Sequence, residues 1–169
     1  MAKILVYGFG NPGRQDDALG VEFVERLERL STEVGTEHLH FDCNYQLNIE
    51  DAVDLPEYDL VVFADATMED IADFLVSRIE PSSETEFTMH AVSPAFVLDV
   101  CRRFYGPPPP AYLIHIRGYE WDLQEGCTAE AKRNLERSVE HVWNVISDPD
   151  KSLFEMDSGL INLKKITIT

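Results

Sequence analysis

Positive charge is what this chain most lacks: 14 Lys plus Arg stand against 31 Asp plus Glu, a formal net charge of −17 over 169 residues. A field of that sign repels phosphate backbones and anionic lipid surfaces, so nucleic acid and membrane are excluded as expected partners. No apolar run approaches the roughly 18 residues that suggest a membrane span. The opening MAKILVY has no separate basic region, apolar region and cleavage site, so no secretory leader is expected. Cysteine is scarce as well. Cys43, Cys101 and Cys127 are odd in number, far apart, and form no C-x-x-C pair. That usage fits reduced thiols in a cytoplasmic protein and not a disulfide framework. Also missing are an H-E-x-x-H zinc helix and a serine or cysteine nucleophile with an evident base.

What is present is ordinary globular composition, 44% hydrophobic and 27% charged, in a length that suits one domain. Lys3–Phe9 is a continuous apolar run ending in glycine, the pattern of a strand buried on both faces. Asp17–Leu30 switches to helical spacing, with Leu19, Phe23, Leu27 and Leu30 on one stripe. His38–Cys43 reads as a strand, Asn48–Leu55 as a helical turn, and Leu60–Ala66 as the most hydrophobic strand, closed by an acid at Asp65. Phe74–Ile79 is a fourth strand. Ser93-Pro94 is a helix start, since Ser caps and Pro suits the first helical position. That helix stops near Tyr105, before Gly106 and four prolines. Ala111–Tyr119 is a further strand and Thr128–Ser147 a long helix.

This order predicts an α/β fold of three layers, a mostly parallel twisted sheet with helices on both faces. In such sheets ligands gather outside the carboxyl ends of the strands. Residues 1–150 form the expected single domain, and 151–169 a C-terminal extension in which LINLKKITIT has the composition of an edge strand.

Gly8-Phe9-Gly10-Asn11-Pro12-Gly13 matches G-x-G-x-x-G after a strand, the form of a dinucleotide site. Asp16 and Asp17 oppose that reading, because a pyrophosphate needs positive potential at the helix start. The acid after the second strand, Asp42, also lies 29 residues beyond Gly13, too late for ribose. A phosphoacceptor receiver domain fits no better, since its acidic pair sits directly at the strand end and its last strand ends in lysine.

The wider block Gly8-Phe9-Gly10-Asn11-Pro12-Gly13-Arg14-Gln15-Asp16-Asp17-Ala18-Leu19-Gly20 resembles the opening motif of the nickel–iron (NiFe) hydrogenase maturation proteases. The likeness continues through Asp65-Ala66, through His90 ahead of Ser93-Pro94, and to Gly126-Cys127-Thr128, covering about residues 3–147. Tyr45–Glu50 resembles the loop of the branch serving soluble cytosolic hydrogenases. The late strand departs, reading His115-Ile116-Arg117-Gly118-Tyr119 where many members carry Gly-Ile-Glu-Pro or Gly-Ile-Gln-Pro. Many members also have Glu where Asp17 stands.

The resemblance implies an architecture like that of the phosphorylase and peptidyl-tRNA hydrolase folds. It implies an endopeptidase, of aspartic type by its carboxylates, that trims a C-terminal peptide from the hydrogenase large-subunit precursor and acts as a monomer. It implies a metal-binding and catalytic triad of Asp17, Asp65 and His90. Two carboxylates and one imidazole suit Ni²⁺, with Zn²⁺ or another divalent ion as surrogate, whether the nickel belongs to the substrate or is bound by the triad. Neighbouring helix residues point about 100° apart, so Asp16 is expected to cap its own helix instead. His38 and His40 are read as paired surface histidines, and His115 and His141 as structural. The alternative is a non-catalytic nucleotide- or metal-binding module of the same architecture.

Overall fold

The computed structural model describes residues 1–84 and 92–161. Five strands, β1 (Ile4–Phe9), β2 (Leu39–Asn44), β3 (Leu60–Thr67), β4 (Phe74–Ile79) and β5 (Ala111–Arg117), form one sheet in the order β2-β1-β3-β5-β4. The first four in that order are parallel and β4 runs antiparallel along β5. Among the described residues four helices cover it: α1 (Leu19–Val34), α2 (Pro94–Phe104), α3 (Ala129–Ile146) and α4 (Leu153–Ile161).

The period-2 geometry of strands sorts the apolar residues onto two faces. Ile4, Val6, Leu60, Val62, Ala64, Tyr112, Ile114 and Ile116 pack against α1, α3 and α4, where Phe23, Leu27, Leu135 and Val142 are buried. Leu5, Tyr7, Val61, Phe63 and Ala111 face the other way, onto Val97, Leu98 and Cys101 of α2 and onto Ala52 and Leu55 of two short 3-10 turns. Burial on both faces is why these strands read as unbroken apolar runs. The three-layer α/β expectation is met.

Ser93 caps α2, its hydroxyl accepting from Phe96 N at 3.2 Å, and Thr128 caps α3 by accepting from Ala131 N at 3.3 Å. Among the described residues β2 and β4 are the edges of the sheet.

The C-terminal segment departs from expectation. Residues Leu153–Ile161 form a helix not anticipated from the sequence, and Met156 and Leu160 lie fully buried in the larger core. Its Asp157 accepts hydrogen bonds from the Tyr112 hydroxyl and, at 2.8 Å, from Arg78 Nη1. Of the strand expected in LINLKKITIT, Leu160 and Ile161 end α4, and 162–169 lie outside the described residues. No helix among the described residues is long and apolar enough to cross a membrane.

Candidate active site

Strand order places the site. β1 pairs with β2 on one side and β3 on the other, so the chain reverses direction across the sheet between β1 and β3. At such a switch point the loops leaving adjacent strands part and open a crevice. Asp17 comes from the loop after β1, and Asp65 from the end of β3.

Close backbone packing brings the two together. Gly8 is in register with Ala64, and a Cβ on Gly8 would overlap the Gly20 carbonyl oxygen. A Cβ on Gly20 would lie 2.5 Å from the carbonyl oxygens of both Ala64 and Phe9. The glycines therefore let the start of α1 rest directly on the ends of β1 and β3. That is their role in the G-x-G block, and no pyrophosphate is needed to explain it.

The loop is then tied down. Asn11 Oδ1 accepts from Gly13 N at 2.9 Å, and Asn11 N donates to Asp17 Oδ2 at 2.9 Å. Gln15 takes a left-handed backbone, φ 45°, uncommon for a side chain beyond glycine. It is held by Gln15 N to Gln124 O at 2.8 Å and by Asp122 N to its Oε1 at 2.9 Å.

Asp16 does not cap its own helix. It is completely buried, and its carboxylate accepts from Tyr119 N (2.7 Å), Glu120 N (3.1 Å), Thr128 N (2.7 Å) and Thr128 Oγ1 (2.9 Å). One carboxylate thus anchors the β5–α3 loop and the α3 cap. The 103 to 112 residues separating it from those partners hid this role from the sequence.

Asp17 and Asp65 face each other as like charges. Burial first, and the Asp17 carboxylate second, push Asp65 up from the ordinary 3.8 to about 7, against the smaller pull of a hydrogen bond at Ala66. Among the described residues neither carboxylate has a basic partner within salt-bridge distance. Two crowded, uncompensated carboxylates suit a divalent cation, whose charge removes the repulsion. No group of three His, Cys, Asp or Glu among the described residues is arranged to hold one by itself. His90, the expected third member, lies outside the described residues.

His115 is in register with Asp65 across β3 and β5, so both project from the same face. Its Nε2 is 2.9 Å from Ser77 Oγ, and burial lowers its pKa, favouring the neutral imidazole. The histidine's alternation with Leu113 and Ala111 is the sequence signal for that placement. His38 and His40 are not a surface pair: His38 is buried with Nε2 2.8 Å from Ile146 O, and His40 stacks edge-on to Tyr58.

No family model and no curated protein matches the sequence. Solved structures do. The chain superposes on the hydrogenase maturating endopeptidase HybD from E. coli with a TM-score of 0.66 at 22% identity, over 86% of this chain and 92% of that one. The NiFe hydrogenase maturation protease HycI from Thermococcus kodakarensis gives 0.67 at 26% identity, over 87% and 94%. This chain has the fold of the NiFe hydrogenase maturation proteases. A hydrogenase 2 maturation peptidase from a thaumarchaeote shares that maturation-protease fold at a TM-score of 0.60 and 19% identity, over 85% and 97%.

Proposed function

We propose that this chain is an endopeptidase that removes a C-terminal peptide from the nickel-loaded large-subunit precursor of a NiFe hydrogenase. The observation that carries the reading is the Asp17–Asp65 pair at the β1–β3 switch point, in a fold shared with maturation proteases of both bacterial and archaeal origin. Asp17 and Asp65 offer carboxylate oxygens to nickel that the substrate already carries, and His90 completes the donor set by the family resemblance. A divalent ion held there would supply Lewis-acid polarisation of a carbonyl, and the two carboxylates would favour a loaded precursor over an empty one. The protein's own part is to hold the pair: Asn11 N fixes the Asp17 carboxylate, and the Gly8–Gly20 contact fixes the spacing to β3. Zinc or another divalent ion serves as a surrogate for nickel in binding experiments.

The resemblance of the Tyr45–Glu50 segment favours service to a soluble, cytoplasmic hydrogenase, and the protease is proposed to work as a monomer. A nucleotide-binding module is opposed by the same geometry. Gly8 and Gly10 are packed against the backbone of Gly20 and Asp17 at the start of α1, which leaves no room there for a pyrophosphate, and the helix start carries Asp16 and Asp17.

The test is processing by variants. Asp17→Asn, Asp65→Asn and His90→Ala are each expected to leave nickel-loaded precursor at full length while the wild type shortens it. Wild-type rates in all three would remove these residues from the site.

A further inference from the structure

Beside the carboxylate pair, and not used by it, is an apolar cleft of about 220 Å³ lined by Gly10, Pro12, Val21, Cys43, Asn44 and Tyr45. That volume equals about seven waters, room for one side chain and too little for a nucleotide or a cofactor. Its position is tied to the site. Gly10 and Pro12 flank Asn11, whose amide holds Asp17, and Val21 is four residues, about one helical turn, beyond Asp17. The opposite wall is the end of β2, an edge strand among the described residues, and the residue after it; Cys43 N and Tyr45 N are met there by the side chains of Asp42 and Asn44 at 2.8 Å each. An extended segment lying along such an edge presents alternate side chains to it.

The surroundings are charged in one sense. Burial first, and then the carboxylates of Asp42, Glu25 and Glu28, raise the Cys43 thiol pKa, which places those three acids close to this wall of the cleft. Glu25 and Glu28 are themselves exposed, so their field reaches solvent at the rim of the cleft.

We propose that this cleft seats one apolar side chain of the substrate's C-terminal segment, with basic residues of that segment lying against Glu25, Glu28 and Asp42. The proposal rests on the endopeptidase reading and adds to it a determinant of which precursor is cut. The apolar walls supply affinity through burial, and the acidic rim supplies orientation and encounter rate.

The experiment measures processing of nickel-loaded large-subunit precursor by wild type and by Cys43→Phe, which fills the cleft from the exposed edge. Loss of one side-chain subsite is expected to raise KM by about tenfold or more with a smaller effect on kcat. Folding is checked by the thermal midpoint. A second readout needs no variant and no cleavage. Cys43 is the exposed thiol, whereas Cys101 and Cys127 are buried, and saturating precursor is expected to slow its alkylation by N-ethylmaleimide. A folded Cys43→Phe protein with the wild-type KM, or alkylation of Cys43 at the same rate with and without precursor, overturns the subsite while leaving the endopeptidase reading in place. A wild type that shortens no precursor overturns both.

Discussion

Gly20 rests so closely on β3 that a Cβ added to it would lie 2.5 Å from the carbonyl oxygen of Ala64. Ala64 immediately precedes Asp65, and Gly20 follows Asp17 by three residues. The contact therefore sets the distance between the two carboxylates. Backbone cannot yield as a flexible side chain does, so Gly20→Ala is expected to cost about 2 kcal/mol or more and to move α1 off the sheet. Thermal unfolding and precursor cleavage should both fall. A variant with wild-type stability and activity would break the link between this packing and the site.

Asp16 and Asp17 are adjacent in sequence and opposite in role. Asp16→Ala leaves four donors around residues 119–128 without their acceptor and is expected to destabilise by about 3 kcal/mol or more. Asp17→Asn keeps an acceptor for Asn11 N and is expected to change stability by less than about 1 kcal/mol while abolishing cleavage. Urea unfolding of the two variants beside a cleavage assay separates these outcomes.

The crowding of Asp65 predicts a pH dependence of stability. Its folded pKa, about 7, lies above the ordinary 3.8, so between those values the folded state binds the proton more tightly than the unfolded state. Stability from this group is present below pH 4 and is lost as pH rises toward and through 7. Asp65→Asn removes the penalty. In metal-free buffer it is expected to be more stable than wild type by on the order of 2–3 kcal/mol at pH 8, with the gain shrinking toward zero near pH 4. A gain that is equal at both pH values, or absent at pH 8, would contradict the described electrostatics.

Much of the fold was legible because its signals are local. Leu60–Ala66 is a continuous apolar run and became β3 with one residue added; Ser93-Pro94 opened α2 by capping chemistry alone. The switch-point position of Asp17 and Asp65 followed from strand-helix alternation, because parallel sheets gather their loops at one edge. What failed was non-local. The Asp16 partners lie over 100 residues away, and the buried His38 answers to Ile146. α4 escaped because Gly159 and Asp157 interrupt a nine-residue stretch that runs into β-type sequence. Its helical spacing, Leu153, Met156 and Leu160, becomes evident only once Val145 and Tyr112 are seen beneath it.

That helix carries its own prediction. Met156 is fully buried, and Met156→Ala is expected to cost about 2–4 kcal/mol. Deleting residues 152–169 should lower the thermal midpoint by much more than a surface truncation does, since it also removes Leu160 and the Asp157 contacts to Tyr112 and Arg78. A truncation with the wild-type midpoint would show that α4 adds nothing to the core.

In the proposed function, the carboxylate pair at the β1–β3 crevice serves C-terminal processing of a hydrogenase precursor that already holds nickel. The most direct test of that role is the intact mass of large-subunit precursor after incubation with this protein, nickel-loaded in one sample and nickel-free in the other, at equal protease concentration. The loaded precursor is expected to lose one C-terminal peptide, and the mass of the empty one to stay unchanged. Equal shortening of both would contradict the role given to nickel, and full-length precursor in both would contradict the endopeptidase itself.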